Sequence, residues 1–172
     1  MRKTMETVCL GMVAVLYWIT YSALHGAEPL PDRIPTHFDI SGQPNAWGTP
    51  GFLWFLPMIA TGLYLLMTLL GSIRFRRFNL PVQVTEANLP YIQAQTSVMV
   101  SWIKLELLCL FAYLQWSIIE AARSNEFRLS PLLIPVSLAV IFSTVGWRIA
   151  TMIRGARARV ESSDPVKTMR NF

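Results

Sequence analysis

Charge is what this sequence has least of. Only 15% of its 172 residues are Asp, Glu, Lys or Arg, against about a quarter in soluble domains. The deficit excludes an ordinary water-soluble globule, a disordered tail and a free nucleic-acid binder. Cysteine and histidine are scarce too, at two each. Cys9 and Cys109 both lie inside apolar runs, so they offer neither a disulfide framework nor zinc-ligand spacing and read as small core hydrophobes. No GxGxxG, P-loop, GxSxG or HExxH occurs. No cofactor is implied, and the chain reads as non-enzymatic.

What is abundant is apolar surface, at 53% of residues. A bilayer core about 30 Å thick takes roughly 20 apolar residues of helix at about 1.5 Å each, and four segments reach that length. The expected helices cover about 8–27, 51–73, 96–121 and 130–154, with an outer loop over 28–50 and a basic tail over 155–172. The fold class is therefore all-α: one integral membrane domain over 1–172, a four-helix bundle with an ordered, proline-rich extracytoplasmic loop between the first and second helices. The third span is the least uniform, because it carries Lys104 and Glu106 before the charge-free run Leu107 to Ile119.

The first segment has Arg2 and Lys3 before its apolar run, as a signal peptide would. The residues that follow it, Tyr21 to Gly26, supply no small-x-small cleavage site, so it is expected to stay as an anchor. Basic residues of short loops are retained on the cytoplasmic side. Ten of them (Arg2, Lys3, Arg74, Arg76, Arg77, Arg154, Arg157, Arg159, Lys167 and Arg170) flank the spans on one side, against Arg33, Arg123 and Arg128 on the other. Both termini are thus expected in the cytoplasm. Tyr17, Trp18 and Tyr21, with Trp47, Phe52, Trp54, Phe55 and Trp116, would form the outer aromatic belt.

The outer loop carries most of the information. Prolines 29, 31, 35, 44 and 50 stiffen it by pushing each preceding residue toward extended geometry. Ile34, Phe38 and Ile40 alternate with His37 and Asp39, as an extended strip with one apolar face would, and Ser41-Gly42 supplies a turn. His37 and Asp39 share a face of that strip, and with His25 and Asp32 nearby they could supply a metal site or an acid/base pair. A histidine beside prolines and an aromatic more often makes a structural hydrogen bond, and that is the reading favoured for His37, pointing inward.

The string Leu30-Pro-Asp-Arg-Ile-Pro-Thr-His-Phe-Asp, followed by Gly42 and by Asn45-Ala-Trp-Gly, closely resembles the signature of the domain of unknown function 1648. That bacterial membrane family is best known from SdpI-type immunity and signalling proteins. The resemblance covers the first span, the loop and the second span; the remainder agrees in hydropathy only. It marks Pro31, Asp32, Pro35, His37, Phe38, Gly42 and Trp47 as loop signature and candidate binding residues. It also implies a multi-pass protein of the bacterial inner membrane that binds or neutralises a membrane-active agent, or signals to a membrane or cytoplasmic protein partner. The family usually ends this loop with a lysine where Pro50 stands, and the second membrane domain of full-length SdpI-type proteins has no evident counterpart in these 172 residues.

Lys104, Glu106 and Arg148 lie within the spans, where a charge at mid-membrane costs about 2.5 to 3.5 kcal/mol on insertion scales. Lys104 and Arg148 have stems long enough to snorkel. Glu106 has not, and it is expected to pair with Arg148, which lies at similar depth on the returning helix. Three other classes compete with the binding reading, and one of them, an enzyme, would need a polar pocket with convergent titratable groups, which this sequence does not display. A transport or channel component would string Glu106, Lys104 and Gln115 along a wet path, and a structural subunit would bury a helix face against a partner. The lipid bilayer is the one partner that composition itself demands.

Overall fold

The computed structural model describes residues 2–73, 81–124 and 128–162. Arg74, Arg76, Arg77, Lys167 and Arg170, half of the basic residues that set the expected orientation, lie outside the described residues. Four helices are long and apolar enough to cross a membrane: α1 (Arg2–His25), α2 (Phe55–Ser72) with the 3-10 turn Pro50–Trp54 before it, α3 (Leu89–Arg123) and α4 (Leu133–Ser162). Between α1 and α2 stand two short strands, β1 (Ile34–Phe38) and β2 (Pro44–Gly48).

The order of the spans is as the hydropathy pattern requires, but three helices outrun it. Apolarity marks only the part of a helix inside lipid, whereas hydrogen bonding and packing carry the helix onward into the interface. α1 begins at Arg2 rather than near Val8, α4 continues to Ser162 through the expected basic tail, and α3 starts at Leu89 rather than near 96. The start of α3 is built by Asn88 and Pro90. Buried Asn88 accepts the Thr85 N–H and donates to the Gln83 carbonyl, both at 2.9 Å, while Pro90 occupies a first-turn position where no N–H partner is needed. At about 1.5 Å per residue, the 35 residues of α3 span roughly 50 Å, well beyond the hydrocarbon core.

α3 is the hub: α1, α2, α4 and β1 all pack on it. Its buried stripe, Ser101, Lys104, Leu108, Gln115 and Ile118, recurs every three to seven residues and so stays on one helical face. α1 answers with Cys9, Val13, Leu16, Thr20 and Ala23. The buried apolar residues form three groups along the bundle: Cys9, Val13, Leu16, Ala60 and Leu108 at mid-height, Ala23, Ile34, Leu53, Ile118 and Ile119 under the hairpin, and Ile92, Met152 and Ala156 where α3 and α4 project together. Cys109 departs from expectation. One position past the Leu108 stripe, it faces outward and is exposed, unlike Cys9.

α4 is the least enclosed helix. Ile134, Val136, Leu138, Val140, Phe142 and Trp147 are exposed along it, which in a membrane means lipid. Of the residues expected in the outer belt, Tyr17, Trp18, Tyr21, Trp47, Phe55 and Trp116 are exposed, whereas Phe52 and Trp54 are half-buried.

Candidate functional site

The proline-rich loop is not a single strip but an antiparallel hairpin. Ile34 pairs with Gly48, Pro35 with Trp47, His37 with Ala46 and Phe38 with Pro44, with irregularities either side of His37. Its tip, Asp39 to Gln43, closes through Asp39 N–H to the Gln43 carbonyl at 2.8 Å and Gly42 N–H to the Asp39 carbonyl at 2.9 Å. Asp39 Oδ1 accepts the Ser41 hydroxyl at 2.6 Å, the Ser41 N–H at 2.9 Å and the Gln43 N–H at 3.0 Å. The Ser41 hydroxyl first, and then the Gln43 N–H, hold this carboxyl below the usual aspartate range.

Gly42 meets two demands at once. Its φ of +79° is in the left-handed region, and a Cβ there would run into the Leu129 carbonyl. This close approach lets the Leu129 N–H donate to the Gly42 carbonyl at 2.9 Å, pinning the hairpin tip to the segment that leads into α4. Ile34, fully buried, and half-buried Phe38 anchor the other face of the hairpin on Ala23, Leu53 and Ile118.

Beneath the hairpin lies a cavity of about 660 Å³ walled by the turn into α2, by α3 and by the start of α4. Phe52, Phe55, Leu56, Leu114, Ile118 and Ile134 make it strongly apolar, and Thr36, His37, Asp39 and Ser130 stand among its lining. Of the signature residues, His37, Phe38 and Gly42 line this space. Pro35 is buried beneath the hairpin, while Pro31, Asp32 and Trp47 are exposed and outside the cavity.

His37 does make a structural hydrogen bond, but across the hairpin rather than inward. Its Nδ1–H donates to Asn45 Oδ1 at 2.6 Å, and the side chain stays exposed. With Asp39 engaged by its own turn and His25 bonded to the Tyr21 carbonyl, the acid/base pair considered for His37 and Asp39 is not assembled. Among the described residues no three His, Cys, Asp or Glu side chains come together as a metal site.

The charges within the spans separate onto different faces. Lys104 does not snorkel. It is fully buried and ion-paired to Glu6 of α1, donates to Thr68 Oγ1 of α2 at 2.9 Å, and lies 4.6 Å from the centre of the Tyr64 ring. Ser101 Oγ also donates to Glu6, at 3.1 Å. Gln115 donates to Thr20 Oγ1 at 2.6 Å and to the Leu53 carbonyl at 3.0 Å.

Glu106 faces α4 as expected but meets Thr144, whose hydroxyl donates to Oε1 at 2.6 Å. The expected pair with Arg148 is not formed. Arg148 stands one turn beyond Thr144, and its Nε and Nη2, like Glu106 Oε2, are buried without a partner. Glu6, Thr68 and Ser101 were not legible as partners of Lys104. The stripe spacing of α1, continued back from Cys9 by three residues, reaches Glu6, and that is the signal that marks it.

Four membrane-length helices, with Lys104 paired to Glu6 and Glu106 hydrogen-bonded to Thr144 between them, are those of a multi-pass membrane protein. Residues 8–61, from α1 through the hairpin into α2, match the family described as Domain of unknown function (DUF1648), so the amino-terminal part of the chain is similar to that domain. No curated protein and no solved structure matches the chain.

Proposed function

We propose that this protein is a non-enzymatic binding protein of the bacterial cytoplasmic membrane, with both termini inside, that takes up a membrane-active amphiphile beneath its outer hairpin, in an immunity or sensing role. The observation that carries the reading is the cavity of about 660 Å³ roofed by the signature hairpin. Ligand sites typically enclose about 300 to 1,000 Å³, mostly apolar with a few placed polar groups. Here the apolar walls suit an acyl or aromatic body, and His37 and Asp39 at the hairpin suit its polar end. Because the hairpin is bonded to Leu129 just before α4, occupancy would bear on the angle at which α4 leaves the bundle. That helix reaches the terminal side, where a cytoplasmic partner would read the change.

A transport reading is disfavoured by the placement of the polar groups. Lys104 and Gln115 share a face of α3, but Leu108, Cys9, Val13, Leu16 and Ala60 close the space between them, and Glu106 faces α4 instead.

The test is photolabelling in nanodiscs with dodecylamine carrying a terminal diazirine. Labels are expected on Phe52 to Leu56, on Leu114 to Ile118 and on Ile134. Ile118→Trp, which fills the cavity, should reduce that labelling several-fold at unchanged helicity, because a filled site leaves no room for the chain. Labelling as strong on the lipid-facing Leu65 and Leu66 as on the cavity wall, with no effect of Ile118→Trp, would show bulk partitioning and reject the site.

A further inference from the structure

We infer that the groove between α3 and α4 at Arg148 binds the phosphate of an anionic lipid headgroup. The groove encloses about 400 Å³ and is lined by Trp102, Ser143, Thr144, Trp147 and Arg148. Arg148 brings to it a guanidinium whose Nε and Nη2 are buried and unpartnered, and among the described residues no carboxylate lies within ion-pair distance of it. A guanidinium has five N–H donors and no acceptor, so these N–H groups call for acceptor oxygens. Their planar fork matches two oxygens of one phosphate and is more weakly hydrated than an ammonium group.

Depth selects the lipid as the source. Arg148 precedes Arg154 by six residues, about 9 Å of helix, so it stands just inside the row of basic residues that meets the headgroups. The exposed rings of Trp102 and Trp147 mark the same level, as aromatic side chains do at membrane interfaces. Ser143 adds a hydroxyl to the groove, whereas that of Thr144 is already given to Glu106. Two other interactions must be separated from the site. Arg154, Arg157 and Arg159 attract anionic surfaces without a groove, and a swing of Glu106 Oε2, itself unpartnered, onto Arg148 would occupy the fork.

The full chain, purified in dodecyl maltoside, is titrated with phosphatidylglycerol, with phosphatidylcholine of the same acyl chains and with inorganic phosphate, and bound lipid is counted by native mass spectrometry. Phosphatidylglycerol should be retained with a preference of roughly tenfold and resist millimolar phosphate, since the choline cation of the other headgroup offsets the charge its phosphate brings to Arg148, and free phosphate gives up its hydration with no acyl chains to hold it in the groove. Arg148→Gln should abolish the preference, Arg148→Lys should keep part of it, and Arg154→Gln should leave it within about threefold. An unchanged preference in Arg148→Gln overturns the assignment, as does displacement by free phosphate, which would make the site one for solution anions. A preference absent from the native chain but present in Glu106→Gln would show that Glu106 holds the fork, and also overturns it. Should Arg148→Gln fail to fold, Arg148→Lys and Glu106→Gln decide between the same outcomes.

Discussion

Lys104 shows at the scale of one residue how a charge survives in apolar surroundings. Its ammonium is surrounded by the Glu6 carboxylate, the Thr68 hydroxyl and the face of Tyr64, contributed by two other helices. A buried ion pair is weak evidence of net stability, because desolvation offsets the attraction, but removing one partner strands the other at a typical cost of about 3 to 5 kcal/mol. Hydrogen bonds between helices in lipid are worth less, about 0.6 to 2 kcal/mol, since the membrane-bound reference state finds other partners. The stranded charge should dominate. Lys104→Met and Glu6→Gln are each expected to lower stability in detergent by about 2 kcal/mol or more, Lys104→Met the more strongly if Glu6 stays ionised, and the double variant should recover part of the loss. Thermal unfolding followed by tryptophan fluorescence measures this. Strictly additive losses would mean the two groups act independently.

At the scale of the element, the hairpin is held by its tip as much as by its strands. Asp39 works only as a carboxylate, accepting the Ser41 hydroxyl and the Ser41 and Gln43 amides, and its folded-state pKa is lowered by those bonds. A depressed carboxylate contributes order that is fully present above the ordinary aspartate pKa, about 4, and is lost as pH falls through the lower folded value. The tip should therefore loosen only below about pH 4. Proteolysis with an acid-stable protease is expected to cut near residues 39–43 faster as pH drops from about 4 to 2, and Asp39→Asn should cut readily throughout that range with little pH dependence. Equal cutting of the native chain at both ends of the range would remove Asp39 from the design.

Half of this hairpin was legible in the sequence. Ile34, Phe38 and their polar neighbours alternate as a strand does, and Ser41-Gly42 signals the turn. The partner strand Pro44-Asn-Ala-Trp-Gly was not, because proline, asparagine and glycine are all poor strand formers and it is tertiary anchoring that holds them. The Leu129 contact was hidden for a different reason: a backbone-to-backbone bond over that distance leaves no side-chain signature beyond Gly42 itself. The same limit explains Glu106. Depth along two antiparallel helices follows from residue counting and set Glu106 level with this stretch of α4, but rotation about the helix axis decides between Thr144 and Arg148, and counting does not fix rotation.

For the whole molecule, the four spans place both termini on one side of the membrane and the hairpin on the other, whichever side faces the cytoplasm. The choice between the two rests on basic residues. Arg2, Lys3, Arg154, Arg157 and Arg159 crowd the terminal side, and the excess of lysine and arginine in short flanking segments is retained inside. On that side Arg159 lies over the Tyr91 ring at 3.7 Å and Arg157 donates to the Pro81 carbonyl at 3.2 Å, which ties α4 to the start of α3 and to the segment before it. The hairpin side has little to compete with it, since Arg123 lies near Glu28 at 3.8 Å and is offset by it. Gln43 and Glu161 are both exposed, at opposite ends of the bundle. With Cys109, the exposed native thiol, replaced by serine, Gln43→Cys in intact cells should react with a membrane-impermeant maleimide, whereas Glu161→Cys should react only after the membrane is opened. The reverse pattern would invert the protein, put the signature hairpin in the cytoplasm and deny the cavity beneath it any agent arriving from outside.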